Sequence, residues 1–309
     1  MIPRLTREHL LPNQDSYAVR HPAIEVDEGE TIIVETINSG QPIIRDAGDV
    51  DKPFIPRQQT GPIFIRGVQP GDILAIEIHD IRPEGHARSR AMAKTGGYYQ
   101  TVRHCFLEIA DGMCRFPGVG QVPLRTMIGE IHVTPADADA PNPGDHGGNM
   151  DVTLIRPGNV LYLRSQLEGG LVVLGDLHGI MGEGESFGIA AEMAGEVTLT
   201  IRKDNQLPLL RPAVRTHDTM AFVASRVDRR EAIQLALEDA TAFVQEYSNA
   251  TEEEARLYVI DTADLRNGGV FLEDNIEDIP TQIRTVFYDM PLAALREFPA
   301  PQKTQPPSH

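Results

Sequence analysis

Val197-Thr198-Leu199-Thr200-Ile201-Arg202 alternates apolar and polar residues. Successive side chains of a strand point to opposite faces of a sheet, so this segment predicts a half-exposed antiparallel strand. Residues 31–37 and 73–79 are rich in Ile, Leu, Val and Thr, and each follows a turn that contains Gly and an acidic residue. Together the three segments predict a chain that is mainly β.

Further short β-type segments, separated by Gly and Pro, fill the chain between residues 31 and 201. This succession is typical of a β-sandwich or barrel. The additional predicted strands are residues 129–133, 152–155, 160–163 and 171–174. Between residues 86 and 103 the sequence becomes rich in Ala, Gly and Tyr, which favours a mobile loop over a strand.

The pattern changes near Asp228, where apolar residues recur at helical spacing up to Tyr247. A second helix is predicted to begin at Thr251, because Glu254 stands at the position that completes a capping box. The predicted organisation is a β-rich body over residues 1–215, a smaller α/β portion over 216–299 and a disordered, Pro-rich tail over 300–309.

The composition excludes several classes of function. A formal net charge of -17 and a pI near 5.0 argue against a broad phosphate-binding surface, so nucleic acid is not an expected partner. No apolar run approaches the roughly 18 to 20 residues that span a membrane. The first residues reach charged side chains at once, unlike a secretory signal. We expect a soluble, cytoplasmic protein in which Cys105 and Cys114 are reduced thiols.

Two Gly-rich segments concentrate residues that bind metal ions or transfer protons. In Asp176-Leu177-His178 the first and third side chains of an extended backbone point the same way, so a carboxylate and an imidazole can approach one ion. The glycines that follow allow a turn that brings Glu183 or Glu185 close. The other segment runs from Asp145 to Asp151. Such nitrogen and oxygen donors suit zinc, manganese or calcium.

The same segments allow a purely structural interpretation. They would then be surface turns in which Asp145 and Asp176 hydrogen-bond to their own backbone, and spacing alone does not exclude this. Other catalytic patterns fail: the sequence has no Gly-x-Ser-x-Gly elbow and no Gly-x-x-x-x-Gly-Lys phosphate loop. Nucleotide binding is therefore not expected.

Several motifs follow one another in a fixed order. They are Thr60-Gly61-Pro62-Ile63, Gln69-Pro70-Gly71-Asp72, residues 127–135, His146-Gly147-Gly148-Asn149-Met150-Asp151, Gly175-Asp176-Leu177-His178 and Gly182-Glu183-Gly184-Glu185. In these motifs, across roughly residues 24–201, the sequence resembles the acetamidase/formamidase family. The resemblance implies hydrolysis of short amides to a carboxylate and ammonia. It also implies a mainly β architecture with an α/β C-terminal part and a divalent metal ion in the active site.

The resemblance further implies roles for individual residues. The expected metal ligands are Asp176, His178, Glu35 and Asp151. The expected catalytic residues are Glu185, His146 and Asn149. Glu185 would take a proton from water, and Asn149 would stabilise the oxyanion. Zinc is the first choice of ion, and calcium and manganese are alternatives.

Two departures from the family pattern affect the expected substrate. Glu183 stands where Asp is usual, and Arg164 stands where Pro is common. A cation near the site would favour a more polar substrate, so hydrolysis or elimination of a cyclic amide, imide or ureide is an alternative to hydrolysis of a linear amide. A non-catalytic β binding module stabilised by metal is a third hypothesis. The expected partners are a small amide and a second copy of the chain in a homodimer, since apolar β edges favour pairing.

Overall fold

The computed structural model describes residues 2–295, apart from residues 41–42, 54, 56–57, 96–97 and 270–282. The predicted disordered tail over residues 300–309 lies outside the described residues. The strands are β1 (Arg4–Leu5), β2 (Leu10–Pro12), β3 (Ile24–Val26), β4 (Thr31–Thr36), β5 (Gln58–Ile65), β6 (Ile73–Thr95), β7 (Tyr98–Ala110), β8 (Met113–Phe116), β9 (Gly120–Pro123), β10 (Met127–Val133), β11 (Gly147–Asn149), β12 (Val160–Arg164), β13 (Val172–His178), β14 (Glu192–Lys203), β15 (Ala213–Arg215), β16 (Thr219–Arg226), β17 (Asp264–Asn267) and β18 (Arg284–Pro291).

Helices form a smaller part of the described chain. They are α1 (Asn13–Ser16), α2 (Arg229–Glu246), α3 (Glu252–Thr262) and two short 3-10 helices, Arg7–His9 and Ala47–Asp51. Among the described helices, none is long and apolar enough to cross a membrane. The predicted fold class, a mainly β body with a smaller α/β C-terminal part, is confirmed.

Strand β14 lies between two other strands of the sheet. It pairs antiparallel with β4 on one side and with β6 on the other. Val197, Leu199 and Ile201 are buried in the core, as their alternation predicts. The burial of such side chains removes apolar surface from water, which is the main force that holds these strands in register.

The predicted loop over residues 86–103 is wrong. Strand β6 continues to Thr95 and returns as β7, so that Ala87 pairs with Leu107 and Ala91 with Arg103 in a long hairpin. Few residues here are β-branched, so local propensity gave little signal, and the cross-strand pairing overrides it. The predicted strand over residues 152–155 is also wrong, because Ile155 N donates to Val152 O in a turn.

Strand β13 lies between β5 and β10, and its last residues also pair with β14. All seven residues of β13 are buried, and so are all seven of β10. Polar side chains on these strands therefore have little access to water. They must find partners within the protein.

The C-terminal elements extend the same sheet. Strand β16 pairs with β15 and β18, and β17 pairs with β18. A second apolar cluster fills the space between these strands and α2 and α3. Helix α3 begins with the predicted capping box, in which Thr251 Oγ1 accepts from Glu254 N and Thr251 N donates to Glu254 Oε2.

Candidate metal centre

Asp176 and His178 lie near the end of β13 and face a space that Gly129 of β10 leaves open. Their exposed fractions are 2% and 0%. A Cβ atom at position 129 would lie 2.8 Å from His178 Cε1 and 2.8 Å from Asp151 Oδ1, so glycine is required for this approach. The interpretation of Asp176 as part of a surface turn is wrong, since its carboxylate is buried.

The His178 imidazole lies between two carboxylates. Its Nε2 atom is 3.7 Å from Asp176 Oδ1 and 3.4 Å from Glu192 Oε2. Glu192 is the first residue of β14, pairs with His178 along the backbone and is 4% exposed. Its other oxygen, Oε1, accepts a hydrogen bond from Ala190 N at 3.0 Å. One carboxylate oxygen of Glu192 therefore fixes the side chain while the other faces the histidine.

Two overlapping groups of potential ligand atoms result. One consists of Asp151, Asp176 and His178, and the other of His178, Glu185 and Glu192, with the atoms of each group within 4.8 Å of one another. Carboxylate oxygens and imidazole nitrogens at such spacing can converge on one divalent ion. The structure thus contains a possible metal-binding site at the position that the sequence predicts.

Three of these carboxylates are carried by backbone in the left-handed region. The φ angles are 50° at Asp151, 55° at Asp176 and 41° at Glu185. A residue with a side chain adopts this region at a cost of order 1 kcal/mol or more. That cost falls on three residues of one cluster, which is typical of a functional site.

The electrostatics of the cluster are dominated by its buried carboxylates. Burial, followed by the negative charge of Asp151, raises the pKa of Glu185 well above its ordinary value, although His178 opposes this. Burial alone would lower the pKa of His178, but the carboxylates of Glu192 and Asp176 raise it well above its usual range. A proton placed in this cluster is therefore held strongly.

A row of amide hydrogen bonds supports Asp151. Asn149 Nδ2 donates to Asp151 Oδ2 at 2.9 Å, and Asn149 N donates to Asn142 Oδ1 at 2.8 Å. Asn142 Nδ2 in turn donates to the buried carboxylate of Glu130 at 2.8 Å. The structure therefore places Asn149 beside a candidate ligand, with one amide hydrogen directed at that ligand.

His146 lies in a neighbouring aromatic cluster and in neither group of ligand atoms. Its ring packs edge-on against Tyr17, with centroids 4.7 Å apart, and lies 6.0 Å from the ring of His132. Burial lowers the pKa of His146 to about 4 and that of His132 to about 3. Both rings are therefore neutral at neutral pH.

Two residues that the sequence associates with the site lie elsewhere. Glu35 points to the other side of β4, where its carboxylate accepts from Arg4 Nη1 at 2.8 Å. That ion pair satisfies the charge of Glu35, and the described structure does not bring Glu35 into either group of ligand atoms. Arg164 is exposed at the end of β12, beside the turn at Gly71, so it adds no cation to the metal centre.

Sequence reasoning missed Glu192. The available signal was a single charged residue in the apolar run Ala190-Ala191-Glu192-Met193-Ala194, since a carboxylate is rarely buried without a partner. It also missed Arg88, which is buried on β6 and paired with Glu192 along the backbone.

The β6–β7 hairpin contacts the loop that follows Glu185. The rings of Tyr99 and Phe187 meet edge-on with centroids 5.2 Å apart, and Arg90 Nη2 donates to Gly188 O at 2.8 Å. The hairpin thus borders the metal centre on the side of Glu185.

Comparison with known proteins agrees with this arrangement. Residues 121–213, which include Asp151, Asp176, His178, Glu185 and Glu192, match the acetamidase/formamidase family model. A Schizosaccharomyces pombe protein provisionally named a formamidase is 27% identical over 252 residues, which cover 58% of this chain and 62% of that protein. The match therefore spans less than two thirds of the length of this relative.

Solved structures show the same fold across almost the whole chain. An acetamidase from Bacillus halodurans is 27% identical with a TM-score of 0.78, over 94% of this chain and 97% of the other. A predicted acetamidase/formamidase from Thermoanaerobacter tengcongensis is 27% identical with a TM-score of 0.80, over 93% and 95%. The fold and the matched segment define a β-rich protein with a buried carboxylate and histidine centre. In this segment and in its fold, the chain is similar to proteins of the acetamidase/formamidase family.

Proposed function

We propose that this protein hydrolyses short linear amides to a carboxylate and ammonia, with a divalent metal ion bound at the cluster of Asp151, Asp176, His178 and Glu192. The family match and the names of the similar proteins support the reaction class. The buried cluster itself supports the dependence on metal.

The observation that carries the proposal is the concentration of buried negative charge. Asp151, Asp176, Glu185 and Glu192 are each at most 6% exposed. When ionised, Asp151, Asp176 and Glu192 carry three negative charges, and Arg88 returns one of them, which leaves a deficit of two while His178 is neutral, as a metal ligand must be. Burial of an unbalanced charge costs roughly several kcal/mol per ion. A divalent cation would remove that cost.

The donor set fits zinc, which binds imidazole nitrogen and carboxylate oxygen readily, and calcium or manganese remain alternatives. Asp151, Asp176, His178 and Glu192 would hold the ion. When bound, such an ion would polarise the amide carbonyl and lower the pKa of a water molecule towards about 7.

Glu185 is the proposed general base. Its carboxyl group is 6% exposed, and a carboxylate oxygen of Glu185 lies within 4.8 Å of ligand atoms of His178 and Glu192, which is close enough to exchange a proton with water at the cluster. It takes the proton from water as the oxygen attacks the carbonyl carbon. It then donates that proton to the amide nitrogen as the C–N bond breaks, so that ammonia leaves. The carboxylic acid that remains loses its proton to solvent and becomes the carboxylate.

The other two predicted catalytic residues receive supporting roles. Asn149 donates to Asp151 Oδ2, so we propose that it orients this ligand in addition to any contact with the oxyanion. His146 packs on Tyr17, and we propose that it shapes the wall beside the Asn142 and Asn149 hydrogen bonds. Neither role requires His146 to exchange a proton during turnover.

Three further proposals concern the whole protein. We propose that residues 1–215 form the metal-binding body, and that residues 216–299 complete it. The exposed edge strand β9, with Val122 43% exposed, supports a homodimer formed through β edges. The acidic composition is compatible with a cytoplasmic location.

An ammonia-release assay tests the proposed reaction. Formamide, acetamide, larger linear amides and cyclic imides would be offered to protein as isolated, to protein treated with a chelator, and to treated protein with zinc restored. We expect release from the short linear amides, its loss on chelation and its return with zinc. Release from none of the substrates by zinc-loaded protein would favour a metal-stabilised binding module.

A further inference from the structure

The loop that carries Glu185 is held from outside the metal centre by the C-terminal strand β17. The Glu183 carboxylate accepts three hydrogen bonds: Oε2 accepts from Arg266 Nε at 2.9 Å and from Arg266 Nη2 at 2.8 Å, and Oε1 accepts from Asn267 N at 3.0 Å. Glu183 stands only two residues before Glu185. Its fixation therefore limits where the Glu185 backbone can lie.

Arg266 is itself held in one orientation. Its Nη1 atom donates to Asp289 Oδ2 of β18 at 2.6 Å, and its guanidinium carbon lies 5.1 Å from the centroid of the Phe287 ring. Charge-assisted hydrogen bonds on three of its nitrogen atoms leave the guanidinium little freedom to rotate. Glu183 is thus attached to a rigid point on the sheet.

The same C-terminal segment also contacts the loop that carries Asp151. Gly269 N donates to Met150 O at 2.9 Å. A Cβ atom at Gly269 would lie 3.0 Å from Asp151 Oδ2, and one at Gly268 would lie 2.3 Å from Met150 O. Because these two residues have no side chain, the segment can contact the backbone of Met150 and the side chain of Asp151 directly.

From these contacts we infer that residues 264–269 form a clamp that sets the separation of the Asp151 and Glu185 loops. Glu183 and Arg266 are positioning residues, since they act on Glu185 through the loop and touch no reacting atom. This inference rests on the proposed function in assigning catalysis to Glu185. It also gives a role to Glu183, whose longer side chain reaches both Arg266 and the main chain at Asn267.

Glu183→Ala tests one side of the clamp, and Glu231→Ala is its matched control. Glu231 Oε1 is 3.2 Å from Arg226 Nε, and Arg226 keeps its second partner Asp145, just as Arg266 would keep Asp289. We expect Glu183→Ala to lower kcat about tenfold, because a small displacement of a catalytic group reduces turnover strongly, while KM and zinc affinity change less than about twofold. Glu183→Gln, which keeps one carbonyl acceptor, should recover part of that loss.

A second readout does not depend on catalysis. Hydrogen–deuterium exchange of residues 182–188 should be faster in Glu183→Ala than in wild type and unchanged in Glu231→Ala. Gly269→Ala should instead weaken zinc binding about tenfold in a chelator competition, because its added carbon displaces Asp151. If wild type binds zinc but releases no ammonia, the proposed function fails, and the exchange and zinc measurements still decide the clamp. The clamp would be overturned if residues 182–188 exchanged as slowly in Glu183→Ala as in wild type, or if Gly269→Ala bound zinc as tightly as wild type.

Discussion

His146→Gln should make the stability of the protein less sensitive to acid. Burial lowers the pKa of His146 from 6.5 to about 4 in the folded state. The unfolded chain therefore binds a proton on this residue at a pH where the folded protein does not. The stability that the neutral ring contributes is present above pH 6.5 and is lost as the pH falls towards 4.

The magnitude follows from the two pKa values. About pH 5 lies about 1.5 units below the pKa of His146 in the unfolded chain, whereas His146 in the folded protein is still mostly neutral at this pH. Each pH unit of this difference corresponds to about 1.36 kcal/mol. Acidification from about pH 8 to about pH 5 should thus cost about 2 kcal/mol through His146 alone. The Gln side chain has no such linkage, so the variant should lose about 2 kcal/mol less over this interval.

Urea unfolding at the two pH values, in the presence of a chelator, measures this difference without pH-dependent metal binding. The quantity to compare is the change in unfolding free energy between the two pH values, so a constant packing defect in the variant cancels. His217→Gln, at a side chain 90% exposed, is the control and should behave as wild type. An identical acid-induced loss in wild type and His146→Gln would refute the reasoning.

Two other changes test the site and the fold. Glu185→Gln should reduce kcat by at least about 100-fold while metal content stays unchanged, since the amide cannot accept the proton from water; unchanged turnover in ammonia release would remove Glu185 from the role of base. Thr251→Ala should lower the free energy of unfolding by about 1 kcal/mol in urea titrations, because Glu254 N loses its capping acceptor. A variant as stable as wild type would show that the cap contributes nothing.

The strands and helices that sequence reasoning found were those with a strong local pattern. The alternation from Val197 to Ile201 predicted β14, and the capping box at Thr251 predicted the start of α3. The β6–β7 hairpin was missed because its residues have weak β propensity and it is held by the pairing of β6 with β7. The propensities of single residues do not reveal such pairing.

The candidate site was predictable to the extent that its residues are close in sequence. Asp176, His178 and Glu185 lie within ten residues of one another and could be recognised together. Glu192 lies in the cluster because β14 pairs with β13 beside His178. Glu35 lies outside it, and its carboxylate pairs with Arg4 instead. Both outcomes depend on tertiary contacts between separate strands.

The supporting residues show the same limit. Arg266 lies more than eighty positions after Glu183, and the hydrogen bonds between them arise because β17 packs beside the Glu185 loop. In the sequence, Arg266 stands in a short polar segment, and nothing there indicates a contact with Glu183. The family resemblance, which ends near residue 201, did not extend to this part of the chain.

The central claim is that the buried cluster around His178 binds a divalent ion that amide hydrolysis requires. The most direct test titrates zinc into chelator-treated protein and follows ammonia release from formamide together with metal content by elemental analysis. The account predicts that release rises in proportion to bound zinc and reaches a plateau when the cluster is filled, and that His178→Ala neither binds zinc at this site nor releases ammonia. Full ammonia release from metal-free protein would contradict it.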